Sequence, residues 1–116
     1  KQAIGNKTGM HRYGSCFLPM DEALAHVVLD FSGRPLLVWR AEIPKVVLGN
    51  LETEMIEEFF RAVASESGLT LHVRLLYGQN THHIVEAIFK AFARALAEAV
   101  AIDARVKGVM SSKGKL

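Results

Sequence analysis

The sequence holds a single cysteine, Cys16, so no disulfide can close within the chain. That usage fits a reducing cytoplasm, or an organelle interior such as a plastid in a plant. No apolar run approaches the ~20 residues that a membrane span needs. The opening KQAIGNKTG lacks the apolar centre of a signal peptide. An initiator methionine is lacking as well, which reads as a fragment or a processed piece. Charge of one sign is scarce too. Fourteen basic and 12 acidic residues leave a formal charge of +2, too little by itself to argue for nucleic acid.

What is present is apolar. Hydrophobic residues make up 50% of the chain and charged ones 22%, which argues against disorder. A chain of 116 residues is enough for one domain with its own core.

Residues 1–14 are rich in Gly and basic groups and read as a loop or tail, and 15–31 as strand-like. In ALAHVVLDF, Ala25, Val27, Leu29 and Phe31 form an apolar face against Leu24, His26, Val28 and Asp30. SGRP, 32–35, reads as a turn, and LLVWRAEI, 36–43, as the antiparallel return strand. A helix over 53–67 carries Met55, Ile56, Phe59, Phe60 and Val63 on one stripe, stopped by Gly68. A strand over 69–77 and a long helix from Thr81 to about Ile102 follow. The order β-β-α-β-α implies a two-layer α+β half-domain, one small sheet backed by two helices, over residues 20–102. Residues 1–19 read as a connector, and 103–116 as a Gly/Ser/Lys-rich tail.

The stretch NTHHIVEAIFK carries the clearest chemistry. With Asn80 as N-cap, His82, His83, Glu86 and Lys90 fall within a ~100° arc of the helix, well away from the stripe of Ile84, Ile88, Phe92, Ala95, Leu96 and Ala99. Imidazole and carboxylate groups at i, i+3 and i, i+4 can ligate a transition metal, although adjacent histidines diverge too far to share one ion readily. The helix N-terminus disfavours imidazolium, which keeps both rings neutral. Lys90 adds a positive charge suited to an anionic substrate such as a phosphate. The plainer reading is a solvated helix start with a Glu86–Lys90 ion pair. Two histidines and one carboxylate leave any metal shell incomplete.

Several runs, TGMHRYGS, PMDEAL, LDFSGRP, EMIEEFF, LTLHVRLLYGQNTHHIVEAIFKAFARAL and SSKG, closely resemble the C-terminal half of imidazoleglycerol-phosphate dehydratase. They span nearly all of residues 7–116 in order. The resemblance implies a fold like domain 2 of ribosomal protein S5. It further implies a lyase of histidine biosynthesis that binds two Mn2+ per complete site, with one HHxxE set from each of two similar halves. His82, His83 and Glu86 match the second set, and Glu86 also matches an acid–base role. Lys90 matches a substrate-contacting lysine. Arg12, Arg34, Ser111 and Lys113 match residues that hold the substrate phosphate, some across a subunit boundary. Glu58 stands where many relatives carry a metal-ligating histidine, and it reads equally as a ligand or a solvated glutamate. The implied partners are a phosphorylated imidazole, the other half or further copies, and a homo-oligomer of two dozen chains.

The N-terminal half with the other HHxxE set is not among these residues, 1–19 reading as its end and the connector, so low activity alone is expected, as is self-association. Among the remaining residues, His72 reads as a half-buried strand histidine, His26 as exposed or at an interface, and Cys16 as half-buried. Trp39 and Tyr77 read as packing residues, and His11 as a possible neighbour of the phosphate. The competing function is a non-catalytic assembly or RNA-binding module of S5-like fold, drawing on basic ends such as Lys1, Lys7, Arg105 and Lys115. Against it, no strand interleaves aromatics with Lys or Arg.

Overall fold

A computed structural model describes residues 9–102. Alternation in the sequence becomes strand β2, Ala23–Asp30, in which Ala25, Val27 and Leu29 are fully buried while His26, Val28 and Asp30 face the other way. Before it runs β1, Tyr13–Met20, and after it β3, Leu36–Arg40. A small hairpin, β4 (Val47–Leu48) with β5 (Leu51–Glu52), leads into helix α1, Glu54–Ser67. Strand β6, Thr70–Tyr77, and helix α2, Thr81–Val100, complete the fold.

The four long strands form one sheet in the order β1-β2-β6-β3, with the apolar faces of both helices on one side. This is the two-layer α+β class expected, with one strand more. The stretch read as strand-like is two strands, and the first, Tyr13–Met20, is an edge strand paired along its whole length with β2. Gly14 explains how β1 can lie so close to α2. A Cβ there would overlap the carbonyl oxygen of Ala95. Ala91, Ala95 and Ala99 are wholly buried, and these small side chains let helix and sheet approach.

The return strand is also different. β3 is not the hairpin partner of β2, because β6 lies between them, antiparallel to β2 and parallel to β3. The SGRP turn reverses the chain direction, but the neighbour is chosen by Leu71 and Val73, which extend the buried face of the sheet.

Helix ends follow local chemistry. Gly68 closes α1 in the left-handed region at φ 69°, and the Asn80 side chain accepts the His83 amide at 3.0 Å to cap α2. On α1, Ile56, Phe60 and Ala64 are buried, whereas Met55 and Phe59 are 52% and 48% exposed. The apolar stripe is wider than the core it meets, leaving an uncovered apolar band. Trp39 is half-buried against Phe60, as expected of a packing residue, but Tyr77 is exposed. His72 is exposed rather than half-buried. Cys16 is half-buried in β1.

Candidate functional site

The first turn of α2 and the β1–β2 turn meet at one end of the sheet. Along α2, His82 Nε2 lies 3.4 Å from Glu86 Oε1, and Lys90 Nζ lies 3.0 Å from Glu86 Oε2. The three side chains form a single row, one helical turn apart. The Lys90 hydrogen bond, with smaller help from the histidines, lowers the Glu86 pKa. A carboxylate in that state accepts hydrogen bonds and can coordinate a cation.

His83 leaves this row. Its Nδ1 is 2.8 Å from Glu22 Oε1 and its Nε2 is 3.2 Å from Asp21 Oδ2. Asp21 and Glu22 form the two-residue turn between β1 and β2, with Asp21 at φ 52°, a left-handed conformation that Asp tolerates better than most residues. Glu22 Oε2 also accepts the amides of Gln79, at 2.9 Å, and Asn80, at 2.6 Å. These bonds, and the one from His83, hold the Glu22 pKa at about 2.

The downward pull that the helix N-terminus exerts on an imidazole pKa is opposed at His83. Its pKa is raised, first by the hydrogen bond to Glu22 and then by the charges of Glu22, Asp21 and Glu86. Nearby carboxylates outweigh the helix terminus. Asp21 and Glu22 went unassigned in the sequence, although both lie inside the PMDEAL run. An acidic pair at a two-residue hairpin turn was the available signal.

The two ring centroids of His82 and His83 are 6.4 Å apart with planes at 66°, consistent with adjacent imidazoles serving different centres. Among the described residues, no three His, Cys, Asp or Glu side chains converge to enclose a metal. Glu58 sits apart on the exposed side of α1, on the rim of an apolar groove formed by Leu51, Met55, Phe59 and Phe89.

Arg12 and Arg34 lie at the opposite end. The Arg12 amide donates to Ala99 at 2.8 Å, near the C-terminus of α2, while His82 is on its first turn. At the helical rise per residue, that separation along the axis is about 26 Å. Arg12 has φ 79°, held there by the Ala99 contact and by Phe31, whose amide donates to its carbonyl at 3.1 Å. Its guanidinium pairs with Asp30 at 2.7 Å and lies over the Tyr13 ring. Arg34 is exposed in the following loop, where its amide donates to Ser32 Oγ. One chain cannot bring these arginines and His82 to the same small molecule. Ser111 and Lys113 lie outside the described residues.

His26 is on the sheet face away from the helices, stacked on Phe17 at 3.7 Å and bonded to Ser15 Oγ and Arg74 Nε. Burial, with Arg74, lowers its pKa. His11 is tied to the α2 C-terminus through its amide, which donates to Ala101.

Comparison with known proteins gives one consistent likeness. Residues 1–96 match the family model described as imidazoleglycerol-phosphate dehydratase. The chain is 63% identical over 116 residues to the imidazoleglycerol-phosphate dehydratase of Acetivibrio thermocellus and 53% identical to that of Geobacter sulfurreducens. Each match covers 100% of this chain and 60% of the relative, so the chain spans little more than half the length of these proteins. Among solved structures, that of the Staphylococcus aureus enzyme superposes with a TM-score of 0.81 at 51% identity, covering 84% of this chain and 57% of that one. The Pyrococcus furiosus protein, solved in complex with (S)-C348, gives 0.76 at 34% identity, covering 98% of this chain and 61% of its own.

Proposed function

Because the chain belongs to the imidazoleglycerol-phosphate dehydratase family, we propose that it supplies one half of a manganese-dependent lyase of histidine biosynthesis. The reaction removes water from imidazole glycerol phosphate to give imidazole acetol phosphate. The observation that carries this reading is the His82–Glu86–Lys90 row beside His83, at the end of α2 remote from Arg12.

The donor set fits the metal. Imidazole nitrogens and a carboxylate oxygen are donors that Mn2+ accepts. The absence of a closed cluster among the described residues fits a shell finished by another chain. His82, His83 and Glu86 would hold the ions, two in a complete site, with Glu58 as a further carboxylate. Bound manganese would supply charge neutralisation for the substrate imidazole as it loses a proton.

The chain's own groups do the rest. Glu86, kept ionised by Lys90, is placed to accept or return a proton. Lys90 offers a cation beside that carboxylate. At the far end, Arg12 and Arg34 hold the phosphate of a substrate bound to a different chain, an arrangement suited to the guanidinium fork. Ser111 and Lys113 join them in this reading.

Completion therefore needs partners, either the N-terminal part found in longer relatives or further copies in a homo-oligomer. The exposed Met55 and Phe59 beside Glu58 support a partner on the helix face. Alone, the chain is a poor catalyst. No helix among the described residues is long and apolar enough to cross a membrane; a biosynthetic role is what supports a location in the cytoplasm, or the plastid of a plant. The test compares dehydratase turnover of the chain alone with that of a fusion carrying the N-terminal part of the Acetivibrio thermocellus relative. Turnover by the fusion and none by the chain alone is expected. An inactive fusion that folds and binds Mn2+ would contradict the assignment of the reaction.

A further inference from the structure

The β1–β2 turn contributes two carboxylates to His83 that neither the sequence pattern nor the resemblance assigned. Glu22 uses its two oxygens differently. Oε2 takes the amides of Gln79 and Asn80, and Oε1 faces His83 Nδ1 at 2.8 Å. At neutral pH a carboxylate only accepts, so the ring must carry its proton on Nδ1. The other ring nitrogen then points at Asp21 Oδ2, 3.2 Å away.

We propose that Glu22 is a positioning residue, one that fixes the tautomer and orientation of the His83 ring so that Nε2 is the nitrogen presented to a metal. The proposal rests on the metal reading of the preceding section. Metal-bound histidines generally donate their second ring N–H to a carboxylate or carbonyl, which sets both tautomer and direction. Glu22 does this from a hairpin turn anchored to the same backbone that starts α2. Strand register and helix start are thereby tied to one imidazole. Asp21, across the ring, places an oxygen beside the position Nε2 would ligate.

Glu22→Gln separates this role from a merely structural one. Its amide oxygen can still accept the Gln79 and Asn80 amides, so the loop stays clamped. Its NH2 then faces Nδ1 and demands an acceptor there, which moves the ring proton to Nε2, where Asp21 accepts it. Nitrogen-15 NMR of His83 in metal-free protein, in mildly alkaline buffer, reads the tautomer. Manganese EPR of free Mn2+, with the chain in the fusion that completes the shell, reads the affinity, and a thermal melt reads the fold.

The parent should show the Nδ1–H form and Glu22→Gln the Nε2–H form. Mn2+ binding should weaken by about 10- to 100-fold with little change in melting temperature. The same tautomer in both chains, or equal Mn2+ binding, overturns the role of Glu22. A parent fusion that binds no Mn2+ overturns the metal reading itself. Should Glu22→Gln fail to fold, the parent spectrum alone decides, since an Nε2–H ring there contradicts the proposal.

Discussion

The amide of Arg12 donates to the carbonyl of Ala99 at 2.8 Å, which pins the arginine to the last turn of α2. His82 lies on the first turn of the same helix. The consequence is stereochemical. A helix of this length keeps the two groups about 26 Å apart, several times the length of a small phosphorylated imidazole. If both serve one substrate, they do so from different chains.

Two inactive variants should therefore rescue each other. In the full-length fusion, Arg12→Ala and the double variant His82→Ala/His83→Ala should each lose turnover. Co-refolded in equal amounts, they should recover activity, because about a quarter of randomly paired sites combine an intact His pair with an intact arginine. Turnover of the mixture no greater than that of either variant would place the arginine outside the site.

Gly14 predicts a stability effect of a different origin. Any side chain there drives a Cβ into the Ala95 carbonyl, which is backbone and cannot rotate away. Gly14→Ala should cost about 3 kcal/mol or more in urea unfolding. Gly49, whose added Cβ would meet nothing within 4 Å, is the control for space, although its φ of 61° brings its own strain.

The Glu22–His83 pair sets a pH window. Glu22 has its folded pKa depressed to about 2 from 4.5, so its contribution is present above 4.5 and is lost as pH falls towards 2. His83 is shifted the other way, above 6.5, so its contribution is full below 6.5 and is lost as pH rises through the raised value. The stability difference between the parent and His83→Ala should therefore be largest between pH 4.5 and 6.5 and shrink on both sides. Urea midpoints across the range check this. A difference that grows steadily into the alkaline range would contradict the pairing.

Much of the fold was legible because it is local. Alternation in Ala25, Val27 and Leu29, the stop at Gly68 and the cap at Asn80 are each decided within a few residues. What failed is non-local. That β6 separates β2 from β3 depends on pairing over some forty residues, and no turn reveals it. Strand β1 lay inside a stretch read as strand-like as far as Phe31, and the Asp21–Glu22 turn that ends it carries neither Gly nor Pro. On α1, a helical wheel groups Met55 and Phe59 with Ile56 and Phe60 but cannot say which side meets the sheet.

The site divides in the same way. The row of His82, Glu86 and Lys90 follows from helical spacing and was visible beforehand. The turn that holds His83 comes from a strand connection about sixty residues earlier, so Asp21 and Glu22 emerge only when the chain is folded.

Manganese titration of the full-length fusion and of its His82→Ala/His83→Ala variant, followed by EPR of free Mn2+, tests the central claim most directly. The account predicts that the parent binds Mn2+ and that the folded variant binds more than about 100-fold more weakly. Equal binding by the two would show that this pair of histidines is not the metal edge of the site.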